Sequence, residues 1–398
     1  MCFCDKSGYY PAKEEKMKRR RSIIIILCVA MLITVIAGCG EPTQWYDDGE
    51  GSEDSEQTAG GMDGFISMAD LDFDAAFDAY PPDTIMIIAG DYPITWEELF
   101  YNIFDTLSYI ESAYSILPNF FETTDDDTSF SELVIDYAVE NALIFRGIQY
   151  GASLSDITLD DSTLELMEAD FNSVVAMYGG EDTFLENLWE YNKIKNVALF
   201  RYLFSINYLA DQTFNVLFGT YGSLLSDDDV AVLTADGGYL MAKHILRLIS
   251  DDDSDTPRSE IEEILDQLNA YDGNDFDEFF DSLMLEHSED PGLEPFPDGY
   301  LFQAGDMNPV FYDACLLLDI GDYSEVIEAS YGYHIIYRIP INYDVVPASY
   351  GTINESDSLR SITAIEMYDE LRDRWVGLLD IVYTDEFESL DLAAIFAA

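Results

Sequence analysis

The run Asp290-Pro291-Gly292, followed by Phe302-Gln303-Ala304-Gly305-Asp306-Met307, by Phe311 and by Gly332-Tyr333-His334-Ile335-Ile336, decides how this chain is read. It consists of short elements with special residues at their joints. Just upstream, Met241 to Ile249 alternates as a strand does, with Ala242, His244, Leu246 and Leu248 on one face and Lys243 and Arg247 on the other. Pro257 opens a helix at its first position, and Ile261, Ile264, Leu265 and Leu268 form its apolar stripe. Asp275 is placed to cap the next helix, with Glu278 three residues on and Phe276, Phe279, Phe280 and Leu283 as the stripe. Asn308-Pro309 starts a third helix, with Phe311, Ala314, Cys315 and Leu318 inward. Tyr333 to Ile339 reads as a final strand, His334 sharing a face with Ile336. The order strand, two helices, strand, helix, two strands predicts a small antiparallel α+β unit.

The chain has three histidines, and two of them, His244 and His334, fall in the first and last strands of this unit. A lone histidine on an apolar face is usually a hydrogen-bonded core residue. Two, with Asp290 between them, point to a site. This pattern resembles the parvulin-type peptidyl-prolyl isomerases. The resemblance implies His244, Asp290 and His334 as catalytic residues, and Met307 and Phe311, with Phe302 as a further wall, as the socket for a proline ring. It implies no cofactor. Two histidines and a carboxylate without tight ligand spacing make a poor metal site. Asp290 stands where parvulins carry a cysteine or an aspartate facing the substrate carbonyl, which implies a non-covalent mechanism. Two positions depart from the family. Gly299 stands where a pocket leucine is expected, and Ala329 where a hydroxyl residue is common. The loop after the first strand, Asp251-Asp252-Asp253-Ser254-Asp255, is acidic, which opposes a preference for phosphoserine before proline.

Outward from this unit, residues 83–236 read as a helical domain. Thr95 with Glu98 forms a capping-box signature, so a helix is expected from Trp96. A second runs from about Phe130 to Tyr150 with Gly151 as its stop, and more follow near 160–177, 181–190 and 192–218. Strand, turn and capped helix followed by further helices is similar to the N-terminal chaperone region of PrsA- and SurA-type foldases. After Pro340 and Pro347 a helix carries Leu359, Ile362, Met367, Leu371 and Trp375. The resemblance implies that this tail, 341–398, returns to pack on the first domain. The expected fold is therefore α+β: a mostly helical chaperone domain built from both ends of the chain, with a parvulin-like domain at 237–340 inserted in it.

Met17-Lys18-Arg19-Arg20-Arg21 is a basic segment, Ser22 to Ala37 an apolar one, and Ala37-Gly38-Cys39 follows. This resembles the lipobox of bacterial lipoproteins and implies a signal peptide at 1–38 and lipidation of Cys39. Residues 39–82, rich in Gly, Asp, Glu and Ser, read as an acidic flexible linker in which Phe73, Ala76 and Phe77 could form a short helix. The chain of 398 residues carries 79 acidic against 18 basic residues, a net charge of −61, which argues against a nucleic-acid partner. Cys315 is the one cysteine in the folded part, so no internal disulfide framework is expected there.

These readings converge on a lipid-anchored, extracytoplasmic foldase that acts on unfolded or partly folded secreted polypeptides. Its oligomeric state stays open, a dimer among the options. The alternative is a holdase that keeps the parvulin shape as a peptide-binding module without catalysis. A third reading, a solute-binding lipoprotein, would require two α/β lobes that the pattern does not show.

Overall fold

The computed structural model describes residues 65–114, 117–120, 128–249, 255–348 and 357–396. The basic and apolar segments before Cys39, Cys39 itself and the linker up to residue 64 lie outside the described residues. The chain forms two compact units, one from the residues up to Thr213 together with Asp369 onward, the other from Phe214 to Tyr368. The fold is α+β, and the second unit is an uninterrupted segment between the two parts of the first.

In chain order the elements begin with β1 (Phe65–Ile66), α1 (Phe73–Phe77), β2 (Ile85–Ala89), β3 (Tyr92–Thr95), α2 (Trp96–Tyr114) and β4 (Leu117–Pro118). Then come α3 (Phe130–Leu154), α4 (Asp161–Met177), α5 (Glu181–Asn192), α6 (Val197–Phe218) and α7 (Asp227–Leu233). Next are β5 (Leu240–Leu248), α8 (Asp255–Ala270), α9 (Phe276–His287), β6 (Tyr300–Phe302), α10 (Pro309–Leu316), β7 (Ile327–Ala329) and β8 (Gly332–Ile339). The last are α11 (Leu359–Gly377), β9 (Ile381–Tyr383), α12 (Asp385–Glu388) and α13 (Leu392–Phe396).

In the first unit the expected linker stops short of residue 82. The Asp72 side chain accepts from the Ala75 amide and caps α1, whose Phe73, Ala76 and Phe77 are buried. Phe77 meets Phe100 of α2 at 5.2 Å, and Phe73 meets Phe396 of α13 at 5.2 Å. The short helix read at Phe73, Ala76 and Phe77 is present, but it belongs to the core of the first unit and not to a linker. The capping box expected at Thr95 does not close. The Glu98 amide approaches Thr95 Oγ1 at 3.5 Å, and the Glu98 carboxylate instead pairs with Arg146 of α3 at 2.5 Å, both side chains being buried. A carboxylate taken out of water needs a cation more than a backbone amide.

Gly151 does not end α3 either, because the helix continues to Leu154. A Cβ there would lie 2.2 Å from Cδ2 of Trp375, so the glycine lets the α11 indole lie directly on α3. β9 pairs antiparallel with β2, Ile88 opposite Val382, and completes a three-stranded sheet of order β3-β2-β9.

The second unit is built on an antiparallel sheet of order β6-β5-β8-β7. Both faces are covered, where the alternation in Met241–Ile249 suggested a single buried face. Ile245, Tyr333, Ile335 and Tyr337 pack on α8 and α9, while Ala242, Phe302 and Ile336 pack on Phe311 and Cys315 of α10. Lys243 and Arg247 fit beneath the helices because carboxylates there receive them. Lys243 bonds Asp281 of α9 at 2.6 Å, and Arg247 pairs with Glu260 of α8. The unit is wider than the expected 237–340. Arg360 binds Asp344 at 2.6 Å, Asp227 at 2.5 Å and the Leu225 carbonyl at 2.6 Å, tying together the segments that flank the sheet.

Candidate functional site

The register of β5 against β8 sets Leu246 opposite His334 and His244 opposite Ile336. With side chains alternating, both histidines emerge on one face, one diagonal step apart. Their rings lie 10° from parallel with centroids 5.2 Å apart, and the two Nδ1 atoms are 3.0 Å from each other. Both are buried, His334 completely.

Asp290 reaches them from the loop after α9. That loop is sewn to β5: Ser288 Oγ accepts from the Leu246 amide at 3.1 Å, and the Glu289 amide donates to the Leu246 carbonyl at 2.8 Å. Asp290 Oδ2 lies 2.8 Å from His244 Nε2 and accepts from the Tyr300 hydroxyl at 2.6 Å, while Oδ1 accepts from the Gly292 amide at 3.0 Å. Burial pushes the Asp290 carboxyl up, but hydrogen bonds from His244 and Tyr300, with the His244 charge, outweigh it and hold the group down at about 2. Asp290 is therefore an anion. Burial, reinforced by the neighbouring His244, pushes His334 down to about 4, so it is neutral near pH 7.

These states order the protons. An anionic Asp290 requires a donor at His244 Nε2. At the 3.0 Å contact between the two Nδ1 atoms one ring donates and the other accepts. His334 Nε2 is buried with no hydrogen-bond partner among the described residues. Ala329 lies two residues along β7 from Ile327, the cross-strand partner of His334, and so shares its face. It brings no hydroxyl to that nitrogen.

The apolar side is built on α10, which the Asn308 side chain caps ahead of Pro309. Phe311, almost fully buried, presents ring edges to His244 at 5.3 Å and to His334 at 5.6 Å. Phe302 is completely buried 5.7 Å from Phe311, so it backs Phe311 from within the core and is not the further wall that was expected. Met307 packs against the same cluster and keeps part of its surface. Cys315 is buried on the inner side of α10, and burial pushes its thiol up to about 11. This leaves it protonated and unreactive.

The structure thus gathers His244, Asp290, His334, Phe311 and Met307. His287 lies apart; its carbonyl accepts from Arg247 at 3.0 Å. Two further residues belong to the site and have no sequence period to announce them. Tyr300 sits on a three-residue strand with its ring against His244 at 5.6 Å. Tyr331, about half exposed, presents its ring to His334 at 5.4 Å. Gly299, in the place expected for a pocket leucine, has φ +101° and closes to within 2.8 Å of the Ala242 carbonyl at the Cβ position, so no side chain fits there.

Residues 244–339 match the family model described as "Rotamase: PPIC-type PPIASE domain". Among curated proteins, the chain is 45% identical over 76 residues to the foldase protein PrsA of Halalkalibacterium halodurans. That match covers 19% of this chain and spans about a fifth of the relative, 21%. Solved structures similar to the chain include PrsA from Bacillus cereus, at 20% identity and TM-score 0.30, covering 70% of this chain and 97% of that one. Another is PrsA from Bacillus anthracis, at 18% identity and TM-score 0.22, covering 60% of this chain and 94% of that one.

Proposed function

Because residues 244–339 belong to the parvulin family of peptidyl-prolyl isomerases, we propose that the chain catalyses cis–trans isomerisation of X–Pro bonds in unfolded polypeptides. It does so outside the cytoplasm, tethered by lipid at Cys39. The reading is carried by one observation: two stacked imidazoles and an anionic carboxylate converge beside the Phe311 ring and the part-exposed Met307.

The chemistry needs no covalent step. The rotation barrier of an X–Pro amide, about 20 kcal/mol, comes from resonance that places negative charge on the carbonyl oxygen. A proline ring held against Met307 and Phe311 brings that amide up to Asp290. A fixed anion there disfavours the charge-separated planar form and so favours the twisted amide. The imidazole pair holds the carboxylate in place through His244 Nε2. Cys315, buried and protonated, takes no part. The helical unit, completed by β9 and α13, serves as the chaperone body that shields clients, and the acidic surface keeps the protein from aggregating.

An NMR exchange or protease-coupled assay on an Ala-Pro peptide tests the proposal, with acceleration expected. A second reading, a holdase without catalysis, draws support from His334 Nε2, which has no hydrogen-bond partner among the described residues, and from the depth of Phe302 and Phe311. It predicts no acceleration while aggregation of an unfolded client is still suppressed.

A further inference from the structure

The hydroxyl of Tyr300 meets the same Asp290 oxygen as His244 does, at 2.6 Å against 2.8 Å. Three other residues make room for this contact or brace it. A Cβ on Gly292 would fall 1.8 Å from the Tyr300 oxygen, so the ring can reach Asp290 only because residue 292 has no side chain. Phe296 leans on the Tyr300 ring with centroids 5.0 Å apart. Gly299 lies flat on β5 and lets β6 start at Tyr300, in register with Ala242. The stretch 292–300 is thus shaped around one hydroxyl.

We propose that Tyr300 is a positioning residue: its hydroxyl locks the Asp290 carboxylate in the rotamer that receives His244 Nε2–H, and so fixes the tautomer of the whole imidazole pair. The inference rests on the isomerase reading for its catalytic consequence, but its structural core does not. Oδ1 is occupied by the Gly292 amide and Oδ2 by two donors. With the Tyr300 oxygen removed, Oδ2 keeps one donor and the carboxylate is freer to turn. A turned Asp290 releases His244 Nε2, and the proton order on both rings is no longer determined. The titratable groups facing this cluster are His244 on β5, His334 on β8, Tyr331 just before β8 and Tyr300 itself. Lys243 is turned to the opposite face, on Asp281.

The test is Tyr300→Phe in the full chain, which removes one oxygen and keeps the ring between His244 and Phe296. The three histidines make side-chain ¹⁵N NMR assignable, and His287 serves as an internal control. The expected result is loss of the defined Nε2–H tautomer at His244 and a displaced His334 titration, with the His287 signals unchanged. The value of kcat/KM on an Ala-Pro peptide falls roughly tenfold, with KM nearly constant. Gly292→Ala, which displaces the ring and leaves the hydroxyl intact, is expected to give the same histidine signature. Unchanged histidine tautomers in Tyr300→Phe overturn the proposal. If the wild-type chain shows no acceleration, the isomerase reading fails, while the NMR arm still decides what Tyr300 does.

Discussion

Phe311 stands edge-on to His244, ring planes at 88° and centroids 5.3 Å apart, so the apolar and polar halves of the site share one wall. Two substitutions separate the roles of that wall. Phe311→Ala empties a nearly fully buried position and is expected to cost about 3–5 kcal/mol of stability, read by denaturant unfolding. Met307→Ala removes a part-exposed side chain and should cost about 1 kcal/mol or less while raising KM for a proline peptide several-fold. An unchanged KM in Met307→Ala removes that residue from the proline socket.

Asp290→Asn preserves shape and removes the charge. The expected result is a fall of roughly tenfold or more in kcat/KM, measured by NMR exchange. Because its folded carboxyl is held down at about 2, Asp290 contributes stability above the range where an unfolded aspartate ionises, lost as pH falls toward 2. The variant should lack that increment. Full activity in Asp290→Asn would exclude a catalytic charge.

His334 gives a second acid dependence at higher pH. Its folded value is depressed to about 4 from 6.5, so between those values the unfolded chain binds a proton that the folded chain refuses. Stability from this group is fully present above pH 6.5 and is lost as pH falls to 4, on the order of 3 kcal/mol in all. The stability difference between wild type and His334→Gln should shrink across that window. A difference constant with pH would mean that the ring titrates normally in the fold.

Gly151→Ala is an expected destabiliser of the first unit, whereas the candidate chemistry belongs to the second. The added methyl would collide with the Trp375 indole at 2.2 Å, and neither helix can yield without disturbing the other. A loss of about 1–3 kcal/mol is expected, read by thermal unfolding, with proline-peptide kcat/KM unaltered in the folded fraction.

Much of the second unit was legible because its elements announce themselves locally. The caps at Asp275 and Asn308 form as their spacing indicates, and alternation set His244 and His334 each with the apolar residues of its own strand, while the register of β5 against β8 brings the two to one face. What escaped the sequence depends on partners distant along the chain. Glu98 reads as half of a capping box until Arg146 appears 48 residues later. Gly151 reads as a stop until Trp375 lies across it. Tyr300 sits on a strand too short for any period, and its role depends on a carboxylate ten residues upstream and a glycine eight upstream. Phe302 has the composition of a pocket wall, and only its complete burial assigns it to the interior.

The pairing of β9 with β2 joins residues about three hundred positions apart. A polypeptide emerging from its N-terminus, whether from a ribosome or through a translocation pore, therefore presents β2 with one edge unoccupied until Ile381–Tyr383 has been delivered. The segment 214–368 is contiguous and can close on itself meanwhile. The order of maturation follows from the threading: the enclosed unit first, the enclosing one last, and a nascent chain stalled short of Ile381 would expose an apolar strand to whatever lies near.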